Sequence, residues 1–439
     1  KMPASKPTIL STPDILIPDK EVSLEKWATI ACDQFTSNKA YWDEVNQIVG
    51  DAPSTVKITF PEYYLGKIDE EQKIKQIHTE MEAYLQAGIL KNHHGMILVE
   101  RQIDHGLRYG LLAAIDLEDY DYTRGATSWI RASEGTVAER IPPRMRIREA
   151  APLEVPHILV LIDDEEKKLI EPLAAKVNSL PLLYDFDLMM NSGHVRGFSL
   201  ADPEIERQIY EVIADGQKDE TIQKKYGPVS AQNRMLFAIG DGNHSLATAK
   251  AIWEKHKAEW GMDHPARYAL VEIQNLHDPI LEFEPIHRVL FGIHEPFLER
   301  LTRQFGSNVT VKPFFEAESL FKAVDETPKG KQSFGVIADG SLHQVVFGTA
   351  PSALCVGSVQ QFLDQWQSEG GFDDIDYIHG QKEVLELAET AHNVGIYLPA
   401  IEKGGFFQGI IGDGALPRKT FSMGEAHEKR FYIESRRIL

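Results

Sequence analysis

Residues 235–275 read MLFAIGDGNHSLATAKAIWEKHKAEWGMDHPARYALVEIQN, and this stretch decides the fold class. Met235–Ile239 is an apolar run of strand length, too short for a helix. From Asn243 to Glu259 the residues Leu246, Ala249, Ile252, Trp253 and His256 recur at helical spacing and share one side. Tyr268–Ile273 (YALVEI) returns to strand composition. Strand, helix and strand in that order predict a βαβ unit over 235–275 with a right-handed crossover. The fold class expected is therefore α/β to α+β, built on a mixed sheet.

Working outward, Glu70–Ala87 places Ile74, Ile77, Met81, Tyr84 and Leu85 on one stripe, and Gly88 supplies the stop. Met96–Arg101 and Arg108–Leu117 flank the turn-forming IDHG and predict a hairpin. Pro156–Asp163 (PHILVLID) reads as a central strand, and Asp202–Gln217 as a helix that Asp202 caps and Pro203 opens. The first 65 residues, rich in proline and rings, read as loop and short helices. After Phe291 the units shorten: helix 295–305, strand 309–314, helix 316–324, strands 334–338 and 343–347, helices near 357–368 and 381–389. Gly405–Leu416 reads as strand and turn, GFDDIDYIHG at 371–380 as a loop, and His93-His94 as part of an exposed turn. The division expected is a main α/β domain over 1–290, carrying the site, and a smaller C-terminal α+β domain over 291–439. No repeat at solenoid periods is present.

Composition narrows the function classes. Hydrophobic residues make up 43% and charged residues 26% of 439, an ordinary globular balance. No segment approaches the roughly 20 apolar residues of a membrane span, and a formal charge of −20 opposes a phosphate backbone. Partners expected are small anionic molecules, with neither nucleic acid nor membrane. Two distant cysteines, Cys32 and Cys355, give no disulfide framework and no zinc spacing, which fits a reducing cytoplasm. The opening KMPASKPTILSTPDILIP lacks the apolar centre of a secretory signal, and Lys1, before Met2, is left out of the fold reading.

The chemistry is expected on the loop Gly240-Asp241-Gly242-Asn243-His244-Ser245. A strand ends there and a helix begins, so free N–H groups and the positive helix end attract anions. Asp-Gly recurs at 215, 339 and 413, but only the copy at 241 has this context with a histidine at the helix start. A flexible turn capped by Asn243 or Asp241 is the plain alternative. Arg124, Arg131, Arg140, Arg144, Arg146 and Arg148 form a basic stretch, and guanidinium forks bind phosphate bidentately. Interleaved Glu134, Glu139, Glu149 and Glu154 could equally pair with them on a solvated face. Arg131 and Glu134 are favoured because the small residues of RASEGT admit a ligand closely. His287, followed by Arg288, and His379 are further proton-transfer candidates. Asp373, Asp374 and Asp376 lack a calcium-loop pattern.

ACDQFTS with YW a few residues on, RASEGTVAERIPPR, GDGNHS, EPIHR and LPRKTFSMGEAHEKRFY together resemble a bacterial and archaeal family of conserved proteins catalogued as a domain of unknown function. The loop also resembles, more distantly, the Asp-Gly-His-His-Arg signature of the ParB/sulfiredoxin-like superfamily, which includes free-serine kinases. Asp241, Gly242 and His244 match, while Asn243 stands for the first His and Ser245 for the Arg. Either Arg131, Arg144 or Arg288 replaces that basic group, or the nucleotide chemistry is lost. The resemblance implies a serine-kinase-like phosphotransferase or related enzyme acting on a nucleotide or a phosphorylated small molecule, with ATP or ADP and Mg²⁺ as cofactors. Asp241 or Glu134 would be base or metal ligand, and His244 would touch phosphate or shuttle a proton. Gly240, Gly242, Asn243, Ser245, Arg131, Arg144, Arg288 and His287 would hold the ligand. Two other readings stay open: a non-catalytic nucleotide- or metabolite-sensing module, and a metal-dependent hydrolase using Asp241 and His244.

Overall fold

The structure, a computed structural model, describes residues 9–439; Lys1 and the rest of the opening up to Thr8 lie outside the described residues. Two compact units emerge, one of residues up to Leu281 together with Gly424–Leu439, the other Glu282–Met423. Residues 424–439 therefore belong with the first unit, whereas the expected boundary near 290 put them in the second. A chain that returns leaves no break in hydrophobic pattern, so its return is not written in local periodicity.

The first unit is built on a ten-stranded mixed sheet. The hairpin is Ile97–Ile103 and Gly106–Asp116, antiparallel, with Arg101 opposite Arg108. Alternation sorts its side chains: Leu98, Leu111, Ala113 and Ile115 enter one core, while Ile97, Val99 and Leu112 enter the other. The first core is covered by the helices Pro203–Gly216 and Asn243–Trp260 through Ile209, Ile213, Leu246, Ala249 and Trp253. The second is covered by Trp42 and Val45 of the helix Lys39–Val49 and by Phe431 and Ile433 of the returning segment. Glu70–Ala87 is a helix that ends on Gly88 at φ 66.

One expectation is corrected at the centre of the sheet. Phe237–Asp241, the helix Asn243–Trp260 and Tyr268–Asn275 do follow one another, but the two strands are not parallel neighbours. Leu159–Ile162 lies between them, antiparallel to the first and parallel to the second, so no βαβ crossover is formed. Apolar runs mark buried strands but carry no information on their partner or direction.

In the second unit His287–Ile293 sits in a six-stranded sheet between Phe372–Ile378 and Val394–Tyr397. The aspartate-rich stretch is thus a strand rather than a loop; its exposed Asp373, Asp374 and Asp376 belong to the sheet's edge. Lys403–Asp413 is a helix rather than strand and turn, because Phe406, Phe407 and Ile410 bury one side despite the glycines. His93-His94 close the strand Leu90–His94 and do not form a turn. No helix among the described residues is long and apolar enough to cross a membrane.

Candidate functional site

Strand Phe237–Asp241 delivers the loop to the helix Asn243–Trp260 through Gly242, at φ 85 and ψ 28. A Cβ there would stand 3.2 Å from Ile158 Cα, so backbone conformation and space both select glycine. Neither expected cap operates. Asp241 Oδ1 accepts the neighbouring Gly242 N–H at 3.1 Å, and the helix start has no side-chain cap. Asn243 turns to another segment: its Oδ1 accepts Ser133 N–H at 3.1 Å and its Nδ2 donates to Ser133 Oγ at 3.1 Å. The first-turn amides keep their pull on an anion.

The basic stretch does fold against this helix, its members in separate tasks. Ile130–Arg131 pairs in parallel with Phe237–Ala238. Arg131 is buried and donates to the carbonyls of Ser128, Ala231, Gln232 and Arg234, at 2.6–3.2 Å. It fastens the chain entering the strand, where the sequence had suggested a ligand contact. Glu134 is half-buried on the segment joined to the helix by Ser133 and by Val137, whose N–H donates to His244 Nε2 at 3.2 Å. Arg144, on the helix Ile141–Arg148, donates to Arg140 O at 2.9 Å and pairs with Glu62. Burial, then Arg144 and Arg140, push His244 down to about 4. His244 is therefore neutral near pH 7 and carries its proton on Nδ1, since Nε2 accepts. That suits it to donate to an oxygen, not to shuttle protons.

Four residues were not singled out by sequence. Lys429 Nζ stands 3.3 Å from Asp241 Oδ2. His157 Nε2 lies 3.0 Å from Ser245 Oγ, its Nδ1 3.2 Å from Tyr432 Oη, and Asp33 Oδ2 is 4.0 Å from Nε2. Each lies inside or beside a motif that carried the family resemblance or the central strand, so the signal existed without a role attached to it. His157 opens the apolar PHILVLID, where a polar residue calls for a partner. Ser245, His157, Tyr432, Glu62 and Arg144 border a cleft of about 150 Å³, with Phe60, Met81 and Ile147 among its apolar walls. Cys32 also borders it, but burial pushes the thiol up to about 12, so it is an inert S–H near pH 7.

His287 and Arg288 belong to the second unit. His287 Nδ1 accepts Leu398 N–H at 3.1 Å, its ring stacks on Tyr397, and burial, then Arg288 and His379, lower it to about 4. Arg288 is fully buried and donates to Gln360 Oε1 at 3.1 Å, Arg418 O at 3.2 Å and Ile286 O. Both are tied into the second unit's core. His379 is exposed. Among the described residues, Asp104, His427 and Glu428 form a three-residue cluster close enough to hold a metal ion by themselves, and it includes neither Asp241 nor His244.

A family profile described as "Protein of unknown function (DUF1015)" matches residues 14–366. The chain belongs to the DUF1015 family. No curated protein matches the DUF1015 chain. Among solved structures, it is similar to a free serine kinase in complex with AMP, at 12% identity and TM-score 0.37, covering 73% of this chain and 90% of that one. It is similar to a conserved hypothetical protein from Pyrococcus furiosus at 11% identity and TM-score 0.33, covering 73% and 90%. C-terminally truncated SbnI from Staphylococcus aureus is similar at 13% identity and TM-score 0.32, covering 73% and 82%. These likenesses are too distant to transfer a residue.

Proposed function

We propose that this DUF1015 protein is a nucleotide-dependent phosphotransferase acting on a small hydroxyl-bearing molecule, with the Gly240–Ser245 loop as its phosphate cradle. The observation that carries the reading is one convergence: an uncapped helix N-terminus, the Lys429–Asp241 pair, the Arg140–Arg144 helix turn and the Asp33 carboxylate meet around His244 and Ser245. Phosphoryl transfer needs little covalent chemistry from a protein and much charge placement, and this set supplies both signs. Amides of the first helical turn, His244 Nδ1–H and Arg144 face the phosphates. Asp33 takes the acceptor's proton. Asp241 and Glu134 are the carboxylates that would hold a Mg²⁺ brought by the nucleotide, and its charge would offset that of the phosphates. With Asp241 engaged by a metal, the Lys429 ammonium, 3.3 Å from Asp241 Oδ2, would be left to face phosphate.

Two measurements test this. ATP or ADP with Mg²⁺ should raise the melting temperature in a concentration-dependent way. ATP consumption should then appear with one member of a panel of small hydroxyl compounds, free serine first. Stabilisation without turnover on any acceptor would favour the sensing module, and no stabilisation by any nucleotide would sink the reading.

A further inference from the structure

Ser245 occupies the third position of the helix Asn243–Trp260, where a serine usually bonds to its own backbone or to water. Thr248 does so, donating to His244 O at 2.7 Å. Ser245 instead meets an imidazole from another strand, His157 Nε2, at 3.0 Å. That ring is oriented from behind: Tyr432 Oη stands 3.2 Å from Nδ1, and the same oxygen accepts Cys32 N–H at 3.0 Å. With the proton on Nδ1 and donated to Tyr432 Oη, the lone pair on Nε2 faces the serine hydroxyl. Asp33 Oδ2, 4.0 Å from Nε2, is placed to balance an imidazolium formed there. Both Ser245 and His157 border the cleft, so the hydroxyl is open to a ligand. A hydroxyl held by a base, a base held by a third group, and a helix N-terminus beside them are the parts of an activated nucleophile.

We infer that Ser245 is a covalent nucleophile that takes a phosphoryl group from a nucleoside triphosphate before the acceptor receives it, with His157 as its base. The inference rests on the phosphotransferase reading, which holds equally well for direct transfer. In the first half, Oγ attacks the γ-phosphorus and the Oγ–P bond forms. The bond from that phosphorus to the β–γ bridging oxygen breaks, its electron pair leaves with the nucleoside diphosphate, and the hydroxyl proton moves to Nε2. Amides of the first helical turn and the helix dipole stabilise the phosphoserine. In the second half, the acceptor oxygen attacks phosphorus and gives its proton to Asp33. The Oγ–P bond breaks, and Nε2 returns its proton to Oγ.

Such a route is ping-pong, so half of it runs without an acceptor. Full-length protein with Mg²⁺ and γ-labelled ATP, quenched in acid, should carry up to one phosphoryl group per chain, located on Ser245 by peptide mass spectrometry. The same protein should exchange label between ADP and ATP with no acceptor present. Ser245→Ala should lose both signals while nucleotide still raises its melting temperature, because the cradle amides remain. His157→Gln should slow both by about a hundredfold or more, the usual share of a general base. Phosphoryl transfer to an acceptor without label on the wild-type chain, or with full rate in Ser245→Ala, would overturn the nucleophile and leave the phosphotransferase standing. Absence of any nucleotide stabilisation would overturn both.

Discussion

Gly242 is the residue on which the loop turns, since its φ of 85 strains any side chain and a Cβ would press on Ile158. Gly242→Ala is expected to destabilise the first unit by about 1–3 kcal/mol and to remove nucleotide-dependent stabilisation. Urea unfolding with and without ADP measures both, and an unaltered midpoint would show that the turn tolerates a Cβ. Asp241→Asn separates charge from shape: turnover should fall by at least about a hundredfold while unfolding moves by under about 1 kcal/mol. A wild-type rate in that variant removes Asp241 from the chemistry.

His244 gives a pH prediction whose sign follows from its environment. Its folded value, about 4, lies below the ordinary imidazole value of about 6.5, so between these pH values the unfolded chain binds a proton that the folded chain refuses. The stability from keeping His244 neutral is present above about 6.5 and is lost as pH falls toward 4. His287, lowered to about 4 as well, adds the same dependence in the second unit. His244→Gln should flatten the loss of first-unit stability between pH 6.5 and 4. An unchanged slope in urea titrations across that window would contradict the buried, neutral ring.

At the scale of elements, Arg131 shows a basic residue of the arginine stretch committed to backbone carbonyls. Its guanidinium satisfies carbonyls just before the strand that ends in Asp241. Arg131→Met strands those acceptors and should cost about 2–4 kcal/mol, with ADP affinity of the folded protein unchanged. A large fall in affinity at unchanged stability would restore it as a ligand group. The same residue marks the limit of what sequence shows. Arginine density pointed to a phosphate ligand or to the interleaved glutamates, and RASEGT to space for a ligand; the carbonyl acceptors at Ala231, Gln232 and Arg234 lie 100–103 residues away from Arg131 and leave no local mark. Helix 70–87, the hairpin and helix 203–216 were legible because periodicity, caps and turn residues are local. The direction of Leu159–Ile162 against its neighbours was not, because pairing is settled by contacts far apart in sequence. The loop Gly240–Ser245 was legible from its strand–turn–helix context. His157, Asp33, Lys429 and Tyr432 were not, since each gains meaning only from a partner on a distant segment.

Across the whole first unit, the segment Gly424–Leu439 is a structural member of the core as well as a donor of residues to the candidate site. Arg430 Nε lies 2.8 Å from Glu272 Oε2 and Arg436 Nε 2.6 Å from Glu154 Oε1, all four groups buried. Arg101 donates to the carbonyls of His427 and Lys429. A chain ending at Met423 leaves Glu272 without Arg430, and breaking a buried pair costs about 3–5 kcal/mol against a whole stability of about 5–15 kcal/mol. Hydrogen exchange should show lost protection of Tyr268–Asn275 with protection kept in the sheet of the second unit. Retained protection of Tyr268–Asn275 would show that the returning segment is dispensable for the core.

That return also sets a timetable for biosynthesis. Ribosomes deliver roughly 5–20 residues per second, so residues 282–423 occupy on the order of ten seconds between the last strand of the ten-stranded sheet and Lys429. Throughout that interval Asp241 waits without its ammonium, His157 without Tyr432 and Glu272 without Arg430. The nascent chain thus carries three buried or half-buried polar groups without their partners until residues 424–439 have been made, and the candidate site is assembled only then.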